Sequence, residues 1–555
     1  MRLAILATAT LTAVPVLCQT TTRDSLSSTG VQDPNWGGDI PVISGDGRFV
    51  AFKSGGPNLV PGDTNNAADV FVRDRLTGQT TRISVSSSGM QGNGNSLDAD
   101  ISADGRFVVF TSAADNLVAG DTNNAPDIFC HDRQTATTAR VSVGSGGVQV
   151  ALGANTGSIS ADGRYVVFAS NDNQIVPGDN CVQADIFCHD RQTGLTTLVS
   201  ISNTTGQTFT PRGNPEISDD GNHIAFDSAA YDLVANDNNG QRDVFVWSRA
   251  TNAVTRVSLD SGGSEGNHIS LEGSISTDGR FVAFTSYASN FVPGDTNSSD
   301  IFVKDRQTGQ LTWCSPGLGG AIGNQFAQTP SISGDGRFVT FFSASTNLVP
   351  GDTNGAWDVF VFDVALGTTT RASVSTTGAE GNAQSDGGRI SADGRCIAFH
   401  SSAYNLVVPD ANVLTRDVYV RDRGTTASVA STGVGCPGTG LLVPSIANVG
   451  WPLIGNAAFA VGVGNSPPST IAVLVWSTLP ANVPFSGCDI LVGSADMMPA
   501  IVLDATGAGV SPFPIPNAPT LADVFVYFQY LVVDVNGPFL GLGTLSDGLA
   551  ARIGN

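Results

Sequence analysis

"ISADGRFVVF", residues 101–110, holds a polar turn between an Ile-Ser step and a run of apolar residues, and the chain writes it seven times. The step Ile-Ser-x-Asp-Gly recurs at Ile43, Ile101, Ile159, Ile217, Ile275, Ile332 and Ile390, spaced 58 residues apart except once, where the gap is 57. The short interval falls where "GDTNSSD" (294–300) has one residue fewer than "GDTNNAAD" (62–69). Each unit continues in the same order: an apolar run such as "FVAF", a loop "NLVPGDTN", a second apolar run "DVFVRDR", a Thr-Gly turn and "TTRISVS". Four short β-rich runs separated by Asp-Gly, Pro-Gly and Thr-Gly turns make one small antiparallel sheet. Seven such sheets at one period predict radial repetition, an all-β chain built as a seven-bladed β-propeller, with six blades the alternative.

The framing composition agrees. The chain has 555 residues, 65 of them glycine and 27 proline, with only 14% charged. A length beyond one ordinary core suits a repeat array. Acidic residues outnumber basic ones 49 to 27, for a net charge of −22. That surface repels nucleic acid and anionic membranes and favours cations.

The units carry a family likeness. Ser-x-Asp-Gly-Arg-Phe-Val-Ala-Phe, followed by Asp-Val-Phe-Val-x-Asp and Thr-Gly, resembles the TolB-like, WD40-like (PD40) propeller repeat of exported bacterial proteins over about residues 20–433. The inserted "NLVPGDTN" departs from that pattern, as does the count, since TolB is similar to a six-bladed ring. The resemblance implies fold and export; it names no partner.

Three domains follow. Residues 1–18, "MRLAILATATLTAVPVLC", have the form of a secretory signal peptide, which implies an exported (periplasmic, surface or secreted) protein. Residues 19–433 form the propeller, closed by an N-terminal strand: "TTRDSLSSTG" (21–30) aligns with "TTRISVSSSG" (80–89), the fourth strand of a unit, and completes the last blade. "TTASVASTG" (425–433) is read as an exit linker. Residues 434–555, where the period stops, alternate apolar runs with Gly and Pro clusters and predict a small β-sandwich. Seven cysteines remain after the leader, an odd number, and Cys436 and Cys488 are the expected disulfide.

Two sets of residues invite chemistry. Asp63, Asn65 and Asp69 space oxygens along a tight loop, and Asp121, Asn123, Asp127; Asp237, Asn239, Asp243; and Asp352, Asn354, Asp358 repeat the spacing. Alternating oxygen donors suit calcium, whereas the competing reading has Asp and Asn capping their own turns. These loops are expected to share a face with the connections between blades. The residue before each Ile-Ser varies: Val42, Asp100, Ser158, Glu216, Ser274, Ser331 and Arg389. Asp100, Glu216 and Arg389 are the candidates for a polar channel mouth.

Other motifs reduce to structure. "GGSEG" (262–266) matches a nucleophile elbow in letters, but it aligns with loops between units and lacks a strand-turn-helix setting. His131 and His189 sit in duplicated "CHDR" segments without metal spacing. No cofactor motif is present. The functional expectation is a non-catalytic binding or scaffold protein meeting a protein or glycan at the loop face. The alternative is a propeller polysaccharide lyase or glycoside hydrolase working through Asp100 and Glu216.

Overall fold

The computed structural model describes residues 19–424 except 178, 180–182, 204–212, 214, 296–298 and 414, together with the strands and short segments of the region beyond 428. The leader expected at 1–18 and Cys436 of the expected disulfide lie outside the described residues.

Seven four-stranded antiparallel sheets form the propeller. The innermost strands of blades 1 to 7 are Asp39–Ile43, Ser96–Ile101, Asn155–Ile159, Glu216–Ile217, Ser270–Ile275, Ala327–Ile332 and Ser385–Ile390. In blades 1 to 6 the other three strands follow in chain order. Blade 7 instead takes its outermost strand from the N-terminus: Thr20–Arg23 pairs with Asp417–Asp422 in the register Thr20↔Asp422 to Arg23↔Tyr419. The predicted closure and the count of seven both hold.

The blade interior explains the apolar runs. The second and third strands are buried on both faces, so they read Phe-Val-Val-Phe rather than alternating. Their central aromatics stack in every blade, from Phe52–Phe71 at 5.9 Å to Phe399–Tyr419 at 5.8 Å.

The Asp-Gly turn, followed by Arg in every blade but the fourth, welds each blade to the one before it. Gly105 has φ +70°, and a Cβ there would lie 2.1 Å from the Phe49 ring of blade 1. Only glycine gives both the turn and the close approach. Arg133 of blade 2 then lies over the same ring at 4.4 Å while donating to the Gly105 carbonyl.

The C-terminal region forms its own sheets. A larger sheet is built on Ile471–Ser477 and Phe525–Val533, and a three-stranded one on Ser445–Val449, Ala460–Gly464 and Gly509–Pro512. Val461 and Val463 of the smaller sheet pack with Leu474, Phe528 and Tyr530 of the larger, and Tyr530 Oη donates to the Val461 carbonyl at 2.7 Å. This is the two-layer arrangement expected of a sandwich. Ser428–Thr432, read from sequence as linker, instead pairs with Gly548–Arg552 as an edge of the larger sheet.

Candidate functional site

Six of the seven innermost strands carry a bulge, where a residue takes positive φ: Ile40 (49°), Asp98 (45°), Thr156 (49°), Glu272 (59°), Thr329 (55°) and Gly387 (67°). All seven Ile-Ser isoleucines line one axial cavity of about 320 Å³.

The predicted trio meets there. Asp100, Glu216 and Arg389 line this cavity, and Arg389 Nη1 lies 3.6 Å from Glu216 Oε2 across it. Their neighbours explain the variable position. Asp100 Oδ2 accepts the Ile159 N–H at 2.9 Å, Glu216 Oε1 the Ile275 N–H at 3.1 Å, Ser274 Oγ the Ile332 N–H at 3.2 Å and Ser331 Oγ the Ile390 N–H at 3.3 Å. The side chain of one blade thus receives the backbone donor of the next. Val42 offers no acceptor, and the Ile101 N–H goes to Asp100 Oδ1 at 2.9 Å. Burial pushes the carboxyls of Asp100 and Glu216 above the usual range, against hydrogen bonds and the Arg389 charge that pull them down.

Toward the Asp-Gly-Arg hairpins the strands converge. Gly45 donates to the Ala103 carbonyl, Ala103 to Ala161, Ala161 to Asp219, Thr277 to Gly334 and Gly334 to Ala392, at 2.9–3.2 Å. Small residues allow this ring: a Cβ on Gly334 would lie 2.4 Å from Thr277 Oγ1. From these hairpins the cavity, an axial cup, runs back along the innermost strands to Asp98, Glu272 and Thr329, which come earlier in their strands and so lie nearer the loop face.

The repeated loops sit on that face as expected. Asn65 donates to the Gly92 carbonyl at 2.8 Å, and Asn123, Asn239 and Asn354 make the same contact with Val150, Gly266 and Gly381. Between each pair of loop carboxylates lies an arginine from the end of the fourth strand. Arg82 Nη1 is 3.1 Å from Asp63 and 3.5 Å from Asp69. Arg140 spans Asp121 and Asp127, and Arg256 spans Asp237 and Asp243. Arg371 spans Asp352 and Asp358 and also pairs with Glu380. The asparagines turn their amide toward the carboxylate, as in Asn65 Nδ2 to Asp69 Oδ2 at 3.1 Å. In these four loops the chain's own guanidinium stands where the spacing called for a cation.

Sequence reading passed over a second cluster, at the junction of blades 7 and 1. His400 is buried between Asp386 and Asp39, with Arg416 Nη1 3.0 Å from its Nε2. These residues come from three separate strands and an outer loop, so no local spacing marks them. By contrast His131 and His189 are each buried and tied to a threonine hydroxyl at 2.9 Å in their own blade, Thr138 and Thr196. Cys130, Cys188, Cys314 and Cys396 are buried free thiols, and burial pushes Cys130 up to about 12 and Cys396 up to about 11.

No family model matches the chain, and no curated protein matches it. Among solved structures it is similar to a TolB protein from Agrobacterium tumefaciens (16% identity, TM-score 0.32, covering 50% of this chain and 79% of that one). It is also similar to an oligogalacturonate lyase from Vibrio parahaemolyticus (13%, TM-score 0.44, 73% and 97%). A third similarity is to the β-propeller domain of the Trilobed protease from Pyrococcus furiosus (9%, TM-score 0.41, 70% and 96%). The class of the protein, a β-propeller with an appended β domain, rests on the sheets themselves. Among the described residues no helix is long and apolar enough to cross a membrane.

Proposed function

We propose that the chain is an exported, non-catalytic binding protein whose loop face, centred on the axial cup, recognises a protein partner through a basic group. One observation carries this reading: Asp100 spends its oxygens on the Ile101 N–H of its own strand and the Ile159 N–H of the next blade, and Glu216 on the Ile275 N–H of the next blade and on Arg389. Acid–base catalysis on a glycosidic bond needs two carboxyls free to exchange protons with substrate. Carboxylates that hold the ring together serve instead as a fixed negative lining. Among the described residues, Asp98, Asp100, Glu216, Asp219 and Glu272 line the cavity with one cation, Arg389, so a lysine or arginine side chain fits its charge. Steering of that kind weakens as salt rises.

Affinity capture from envelope extracts, run beside a glycan array and polysaccharide turnover assays, tests the reading. A protein recovered by the wild type and lost on Asp98→Asn at unchanged stability is the expected result. Polysaccharide turnover abolished by Glu216→Gln in a folded protein would overturn it in favour of the enzyme reading, and binding confined to the array would move the partner to a glycan.

A further inference from the structure

The connection into blade 1 is built differently from its counterparts. A β-bridge fixes Gln32, Gln91, Gln149, Glu265 and Glu380 at one equivalent point, shortly before the bulge of the innermost strand. Eight positions separate Gln32 from Ile40, but seven separate Gln91 from Asp98 and Glu380 from Gly387. The longer connection carries Trp36, which is 54% exposed. Its N–H donates to Asp33 Oδ1 at 3.1 Å and its carbonyl accepts from Asn412 Nδ2 at 3.2 Å, so the backbone that bears the indole is pinned.

The second strand makes room for this ring. A Cβ on Gly55 would lie 3.1 Å from two carbons of the indole. The six equivalent positions hold Ala113, Asn171, Ala229, Tyr287, Ala344 and Ser402. Trp36 and Gly55 thus occur as a pair in blade 1 alone. Together they line a cleft of about 630 Å³ on the loop face, at the junction with blade 7.

The lining defines what fits. Asn35, Asn66 and Asn95 bring exposed amides to the cleft, and Asp39, Lys53 and Arg416 bring charges. Several of these groups are already fixed. Asn95 Oδ1 accepts the Ala68 N–H at 2.9 Å, and Asp39 stands 3.6 Å from Lys53 Nζ and 3.2 Å from His400 Nδ1. Arg416 Nη1 lies 3.0 Å from His400 Nε2. An apolar protein side chain would leave such amides and charges without partners, whereas hydroxyl groups can pair with all of them. A pyranose ring has hydroxyls around its edge and C–H groups across a face, and those C–H groups pack on the electron-rich face of an indole.

We propose that this cleft is a saccharide-binding site, in which a sugar ring stacks on Trp36 and its hydroxyls bond to the surrounding amides and charged groups. The volume is that of a small-ligand site, and the fixed lining leaves little to be ordered on binding. The site stands apart from the axial cup and does not require a basic partner there.

A glycan array probed with the labelled full chain, followed by calorimetry with the oligosaccharide that gives the strongest signal, tests this. Saccharide binding is expected, weakened about tenfold or more in Trp36→Ala and partly restored in Trp36→Phe. Both variants should unfold cooperatively, because the indole stands outside the blade cores. An array without signal would overturn the proposal, as would equal affinity in wild type and Trp36→Ala. Saccharide binding lost in Asp98→Asn but kept in Trp36→Ala would place the sugar in the cup and overturn it as well.

Discussion

Arg23 and Asp417 meet 3.5 Å apart across the seam where the first strand of the ring lies against the last blade. Both side chains are almost fully buried, and Asp410 and the Tyr419 ring complete the surroundings of the guanidinium. Removing the arginine strands two carboxylates in the interior, and breaking buried pairs of this kind costs about 3–5 kcal/mol. Arg23→Ala is therefore expected to lower the urea midpoint strongly. Deleting residues 20–30 exposes the Asp417–Asp422 edge as well and is expected to yield dimers or aggregates. A wild-type midpoint for Arg23→Ala, or a stable monomer from the deletion, would count against closure by this strand.

The same seam titrates. Burial lifts the Asp417 carboxyl to about 6, against the Ser25 hydrogen bond and the Arg23 charge. The folded value lies above the unfolded one of 3.8, so the folded chain binds more protons between them. The contribution to stability is full below pH 4 and is lost as pH rises through 6. Asp305 runs the other way: burial raises its carboxyl, but hydrogen bonds led by Arg280 outweigh that and hold it at about 2, so its contribution is full above 3.8 and lost as pH falls toward 2. Urea midpoints between pH 4 and 7 should show wild type losing ground to Asp417→Asn as pH rises. Parallel curves would refute this assignment.

The blades were legible because a period of 58 residues prints every turn and strand seven times, and chance cannot imitate that. The arginine clamps were not, although their residues were in plain view. Reading Asp63, Asn65 and Asp69 as a local loop ignored Arg82, which the adjacent strand brings in from a turn beyond. The repeat itself held the signal: the Thr-Thr-Arg step follows the loop in blades 1 and 6 and even opens the chain at residues 21–23. The variable residues before Ile-Ser looked individual because only a structure shows that Asp, Glu and Ser share one task there, accepting a neighbour's N–H. The His400 cluster joins strands of blades 7 and 1 and has no image in any local window.

On the hairpin face the arginine of Asp-Gly-Arg pairs with the aspartate ending the third strand, as in Arg106–Asp132 at 2.7 Å and Arg337–Asp363 at 2.7 Å. In blade 4 both partners are absent together, replaced by Asn222 and Ser248, which marks the two positions as one unit. Exposure decides what each pair contributes. Arg106 is 37% exposed and Arg337 only 2%. Arg106→Ala should cost little, in line with surface pairs. Arg337→Ala should cost several times that, about 3–5 kcal/mol. Equal losses in denaturant titrations would show that burial is not the controlling variable.

The acceptors around the axis make the final prediction. Ser331 serves one backbone donor, the Ile390 N–H, whereas Asp100 serves two, those of Ile101 and Ile159. A buried N–H left without an acceptor costs about 1–3 kcal/mol. Ser331→Ala should therefore lose about that amount, and Asp100→Ala about twice as much. Asp100→Asn keeps one carbonyl oxygen and should fall between them. Hydrogen exchange gives a readout that overall stability cannot: the Ile101 and Ile159 amides should exchange faster in Asp100→Ala, and only the Ile390 amide in Ser331→Ala. If Asp100→Ala leaves both amides protected, the carboxylate is not a strut of the ring. The case for a framework role over acid–base work would then fall with it.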